Sequence, residues 1–277
     1  MFRFTRFVAV AAAAVALQAA SSGAAWAQAS EEIGSADIHG SAPLAAEKPV
    51  LFHAPALTYD NGALITHPGG GAGGADASRL QSTSLGMSTL GFTASDTGAF
   101  RIADDFTAAA PGWVINTITL FGYQTGSTTT STFDVMRFQI WSGAPNGGGS
   151  IIFGDTTTNR IGGSTFTNIY RDTETTVANN QRPIMAVTSV TIGLSFRGVF
   201  WVDYQLGGTL ASGPFSPPTT ILGQTSGSCS PNCNALQWSG TAWVALDDGA
   251  AGVQAQDVRF IIDYVPAPVE LQTFSVD

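Results

Sequence analysis

From Leu57 onward the chain reads as short runs of β-branched and aromatic residues broken by Gly, Asn, Asp and Pro. Two runs alternate strictly. Phe200, Val202, Tyr204 and Leu206 share one face and Trp201, Asp203 and Gln205 the other; Val258, Phe260, Ile262 and Tyr264 oppose Arg259, Ile261 and Asp263 in the same way. A period of two is the side-chain spacing of a β-strand. The pattern predicts strands at 58–59, 63–66, 100–106, 114–123, 133–141, 150–153, 167–171, 185–194, 199–206, 242–246 and 258–264. Asp60-Asn61-Gly62 and Asn146-Gly147-Gly148-Gly149 read as turns, and 128–131 and 155–159 as polar loops. Gly and Thr are abundant and poor in helix interiors, and no stretch past the N-terminus holds a capped helical period. The expected fold is all-β: an antiparallel β-sandwich forming one domain over 57–265, with a tail at 266–277.

The N-terminus follows a different pattern. Arg3 and Arg6 precede an apolar run from Phe7 to Ala20, and Ala25-Trp26-Ala27 supplies a small-x-small cleavage site. This tripartite order predicts a signal peptide at 1–27. The run is shorter than the roughly 20 apolar residues of a bilayer span. No later segment reaches that length, so no membrane span is expected. Residues 28–56, rich in Ala, Ser, Glu and Pro, read as a low-order leader. The expected address is extracellular, cell surface or periplasm. Cys229-Ser-Pro-Asn-Cys233 holds the chain's only two cysteines. Zinc takes four ligands, so the pair reads as a small-loop disulfide, Cys229–Cys233, of an oxidising compartment.

Composition narrows the function classes. In 277 residues there are 11 Lys and Arg against 20 Asp and Glu, and only 11% of residues are charged. Coiled coils, helical repeat arrays and nucleic-acid binders need denser charge. Loss of Arg3 and Arg6 would leave nine cations against 20 anions, a mature charge of −11. Lys48 is the sole lysine and the arginines are scattered along the sequence, so no basic patch for nucleic acid or anionic lipid is expected. Ligand contacts are expected to be polar and aromatic, and insensitive to salt.

Candidate chemistry is sparse. A G-x-S-x-G elbow is absent, and His39, His53 and His67 lie in the leader or first hairpin, which offers no base for a Ser-His-Asp triad. The glycine run at 68–74 lacks the Gly-Lys-Ser/Thr ending of a phosphate loop. Glycoside hydrolysis needs two carboxylates astride the bond; Glu174 is the only Glu of the domain body, so a pair would have to be built from Asp. Asp104-Asp105 is the most pointed polar cluster, and Asp247-Asp248 a second. Oxygen-rich sites of this kind suit a structural calcium; Asx turns or paired edge charges are the competing account. Of the Trp residues, most are expected in the core. Trp238 and Trp243 flank a Ser239-Gly240 turn and are the candidates for stacking on a sugar face.

Tyr59-Asp60-Asn61-Gly62, Ala103-Asp104-Asp105-Phe106, Tyr123-Gln124-Thr125-Gly126, the run from Gly154 to Arg160, and Ser212-Gly213-Pro214 together resemble a group of uncharacterised secreted proteins of Gram-negative bacteria with jelly-roll-like sandwich domains. The resemblance spans most of Leu57 to Tyr264 and implies a jelly-roll-like fold and an exported address, but no activity. The stretch Pro268 to Phe274 resembles the P-V-E-L-x-x-F junction before the C-terminal sorting domains of gliding-bacterial surface proteins. The leading expectation is a secreted or surface-associated non-catalytic module that binds a glycan or a cell-surface or matrix partner. The alternative is a carbohydrate-active hydrolase or lyase using Asp carboxylates, and a third reading is an accessory subunit pairing through an edge strand.

Overall fold

The computed structural model describes residues 55–225, 232–249 and 254–268. The segments outside it include the predicted signal peptide, most of the leader, Cys229 and most of the tail. Among the described residues the chain is all-β. Its strands are β1 (Leu57–Asp60), β2 (Asp76–Leu80), β3 (Phe92–Thr93), β4 (Arg101–Gly122), β5 (Phe133–Trp141), β6 (Ile151–Asp155), β7 (Ile161–Thr173), β8 (Pro183–Ser189), β9 (Leu194–Gly208), β10 (Phe215–Ser216), β11 (Leu236–Trp238), β12 (Trp243–Ala245), β13 (Asp247–Asp248), β14 (Gln254–Ala255) and β15 (Phe260–Pro266). A single 3-10 turn, Ala72–Gly74, accompanies them. No described helix is long and apolar enough to cross a membrane.

The organising element is β4, which belongs to both halves of the sandwich. Its first half pairs with β9 on one side and β11 on the other. Its second half pairs with β15 and β8. The register against β9 shifts between Ala108 and Trp113, where Pro111 and Gly112 sit, the glycine at φ 120°. A bulge at that point bends a strand without ending it. One half-sheet therefore runs β12-β11-β4-β9-β5-β6 and the other β1-β15-β4-β8-β7-β2. The β2–β7 pair is parallel; every other strand pair described is antiparallel. The strand order by itself does not identify a jelly roll.

The core lies between the halves. Ile102, Phe106, Met136, Phe138, Ile140, Val202, Tyr204 and Leu206 from the first half meet Ile118, Leu120, Met185, Val187, Phe260 and Ile262 from the second. Phe106 and Phe260 touch edge to face across the interface, centroids 6.4 Å apart. The apolar faces assigned from alternation in 200–206 and 258–264 are thus the ones that face this core, with Phe200 and Tyr264 only partly buried.

The structure departs from the local expectations at several points; the run 185–194 is a strand only as far as Ser189, with 190–193 outside any strand. The runs at 100–106 and 114–123 are one strand, because β9 pairs across the Pro-Gly bend. The run 63–66 is not a strand; it lays Leu64 over Phe121, Ile169 and Ile184 on an outer face. The polar segment Asp76–Leu80 is a strand, held by parallel pairing with β7 and by Arg79, whose Nε and Nη2 donate to Asp172 at 2.9 and 2.8 Å.

Candidate functional site

The alternation of β9 sends Trp201, Asp203 and Gln205 to the outer face of the first half-sheet, where solvent would be expected. All three are buried. Leu236 and Trp243 of the β11–β12 hairpin pack with Trp201, and strand β11 adds to the edge of β4 with Leu236 opposite Ala103 and Trp238 opposite Arg101. On the same face Arg137 stands opposite Gln205, Gln139 opposite Asp203, and Trp141 opposite Trp201. Side chains distant in sequence thereby form continuous rows across five strands.

Trp238 and Trp243, both half-buried, face each other across the hairpin. The Arg101 guanidinium lies 5.2 Å from the Trp238 ring centroid and 5.0 Å from that of Trp243, within cation–π range. Trp141 meets Trp243 edge-on at 6.5 Å. Arg101 is held from below: its Nη1 donates to Gln139 Oε1 at 3.1 Å and approaches Asp203 Oδ2 at 3.3 Å. Trp141 Nε1 donates to the same Asp203 oxygen at 3.1 Å. Asp203 is fully buried, and its Oδ1 has no hydrogen-bond partner. Burial pushes its carboxyl up to about 7, against the opposing pull of Arg101 and Trp141.

Beside this aromatic step opens a groove of about 340 Å3 lined by Asp96, Ala99, Arg101, Arg137, Thr156, Gln205 and Trp238. Arg137 Nη1 lies 3.3 Å from Asp96 Oδ2, and its buried Nε has no hydrogen-bond partner. Gln205 Nε2 is anchored on the Thr156 carbonyl at 3.0 Å. An aromatic shelf next to convergent polar side chains is the usual make-up of a small-molecule or saccharide site.

Trp238 and Trp243, the two stacking candidates from the sequence, are therefore brought together. Arg101 and Arg137 were missed because the arginines look scattered when read linearly. The available signal was the period of two in β5, which puts Arg137, Gln139 and Trp141 on one face.

Asp104 and Asp105 lie elsewhere. Asp104 faces inward, fully buried, and its carboxylate accepts Asn61 Nδ2 at 3.1 Å, Val258 N at 3.2 Å and Asp105 N at 2.9 Å. Burial and the nearby Asp257 push its carboxyl well above the usual range. Asp257, which accepts Asn234 N at 2.9 Å and Ala235 N at 3.2 Å, is pushed by burial up to about 6. Asp105 is raised by burial, with Asn234 opposing. Among the described residues no group of three or more His, Cys, Asp or Glu side chains is gathered as a metal site. N–H donors serve Asp104, and likewise Asp248, which accepts Ser88 N and Oγ and Thr89 N. The calcium expectation at Asp104 and Asp105 thus gains no support from the geometry. Cys233 is described and Cys229 is not; no free cysteine occurs among the described residues.

Comparison with protein-family models, with curated proteins and with solved structures finds no match to this chain.

Proposed function

We propose that this chain is an exported, non-catalytic β-sandwich module that binds saccharide chains of a cell surface or matrix through the groove beside Trp238. The observation that carries the reading is the paired indoles of Trp238 and Trp243, fixed around Arg101 at the mouth of an open groove with amide and carboxylate side chains. Aromatic faces stack on the C–H faces of sugar rings, and amide, carboxylate and guanidinium groups serve their hydroxyls. Export rests on the N-terminal pattern at 1–27, and the Cys229–Cys233 disulfide would staple the loop leading into β11.

The hydrolytic alternative is weaker at this groove. Asp203 has the proton affinity of a general acid, yet its side chain has no exposed surface and lies against Arg101 and Trp141. A general acid must come within hydrogen-bond reach of the leaving oxygen. The test is a glycan array probed with the purified protein and with Trp238→Ala. Selective binding that the variant loses supports the reading. Absence of saccharide binding, or release of reducing ends from a bound glycan, overturns it.

A further inference from the structure

We infer that the groove takes an acidic saccharide, one whose sugar carboxylate is received by Arg137 and Arg101 while a ring rests on Trp238. This rests on the saccharide-binding reading above and specifies its ligand.

The argument comes from comparing ion pairs. Five are described. Arg79–Asp172, Arg160–Asp155 and Arg259–Asp60 close to 2.8, 2.7 and 2.5 Å. Charge-assisted contacts normally shorten to about 2.7–2.9 Å. The two at the groove, Arg101–Asp203 and Arg137–Asp96, both stand at 3.3 Å. Both slack pairs thus involve an arginine that lines this groove.

Arg137 is the sharper case. A guanidinium carries five N–H donors, and this one has a single long contact to Asp96 and a buried Nε with no partner. An unmet buried donor is costly, and a ligand anion that draws the guanidinium toward the groove gives it an acceptor. A neutral hydroxyl accepts from one N–H at a time, whereas a carboxylate matches the guanidinium fork with two oxygens. Arg101 is placed to share that anion: Gln139 and the two indoles fix its position, and its side chain remains 15% exposed. Asp96 opposes an incoming anion, but its charge is already set against Arg137, and Asp203 is sealed beneath Arg101. Two guanidiniums thus converge on one groove although the arginines are scattered along the sequence.

The experiment is calorimetric titration of the purified full-length product with trigalacturonate, trimannuronate and triglucuronate, each beside its methyl ester. The ester keeps the ring and removes the charge. At least one acid should bind ten or more times tighter than its ester. Arg137→Met should erase that preference, so that acid and ester bind alike, and Arg137→Lys, which keeps the charge without the fork, should leave a preference between those of the wild type and Arg137→Met. Trp238→Ala should weaken acid and ester alike. Melting curves identify any variant that fails to fold, in which case Arg137→Lys alone decides. Equal affinity for acids and esters, a preference that survives Arg137→Met, or binding confined to neutral sugars would overturn the inference and leave the saccharide reading standing. No binding to any saccharide removes both.

Discussion

Trp238 stands directly opposite Trp243 in the β11–β12 register, with ring centroids 5.6 Å apart and planes tilted by 58°. The pairing is a consequence of turn chemistry. Ser239 N donates to the Ala242 carbonyl at 3.0 Å, and Gly240 occupies the left-handed region at φ 94°. Four residues thus close the hairpin and set two indoles on one face, where Arg101 of β4 reaches both.

The indole pair should behave as a unit. Trp243 touches Trp238, Trp141 and the Arg101 guanidinium. Trp243→Ala should weaken saccharide binding by about tenfold or more, in the range of a buried aromatic anchor. Because Trp243 lies on an edge hairpin outside the main core, the fold should persist. Titration calorimetry beside far-UV circular dichroism checks both halves of this expectation.

Gly240→Ala isolates the turn. Nothing lies within 4 Å of an added methyl, so sterics with neighbours do not contribute. The cost is the left-handed backbone alone, about 1 kcal/mol. Affinity should fall by several-fold although no ligand-facing atom changes, and thermal unfolding should show a loss of only a few degrees.

Arg79 and Asp172 form the opposite kind of ion pair from those of the groove: bidentate, with side-chain exposures of 9% and 0%. Asp172 Oδ2 also accepts Ala178 N at 2.9 Å. Removing one partner of a buried pair strands the other, at a cost of about 3–5 kcal/mol. Asp172→Ala should therefore lower stability by that amount, read from chemical denaturation, while saccharide binding at the distant hairpin stays unchanged in the folded fraction.

What the sequence revealed and what it hid divide along contact range. The strand at 133–141 was legible in full because its alternation is local and both ends carry turn residues. The 22-residue β4 was read as two strands since Ala-Pro-Gly is a breaker in isolation; only the partner β9, some 90 residues on, keeps it in the sheet. Asp76–Leu80 carries almost no β-branched signal and is a strand because β7 and Asp172 make it one. At the site, Trp238 and Trp243 were legible from the turn between them. The burial of Asp203 and Gln205 was not, because it depends on partners from other strands and loops: Arg101 and Trp141 at Asp203, and the Thr156 carbonyl at Gln205.

Acidity should stabilise this domain over a definite window. Asp203 is pushed by burial up to about 7, Asp257 up to about 6, and Asp104 well above its ordinary range by burial and by Asp257. Each binds its proton more tightly folded than unfolded. Their contribution is therefore fully present below the ordinary Asp range, near 4, and is lost as pH rises through about 6 and 7. Glu174, lowered to about 2 by hydrogen bonds from Ser84 and Thr83, and Asp155, lowered chiefly by Arg160, act in the reverse sense. Their contribution is present above the ordinary carboxylate range and is lost only as pH falls below about 4. The two sets leave a stability maximum near pH 4–5. Each pH unit over which one buried carboxyl takes up a proton on folding is worth about 1.4 kcal/mol, and about 2–4 °C accompanies each kcal/mol in a domain of this size. The melting temperature should thus climb by several degrees from pH 8 to pH 5 at constant ionic strength. Asp203→Asn should flatten the profile near pH 7, and Asp257→Asn near pH 6. Asp104→Asn sets an amide NH2 against the N–H donors of Asn61 and Val258 or of Asp105, and should lower stability across the range. A melting temperature that is flat, or that rises with pH between 5 and 8, would show that these carboxyls are not held above their ordinary range in the fold.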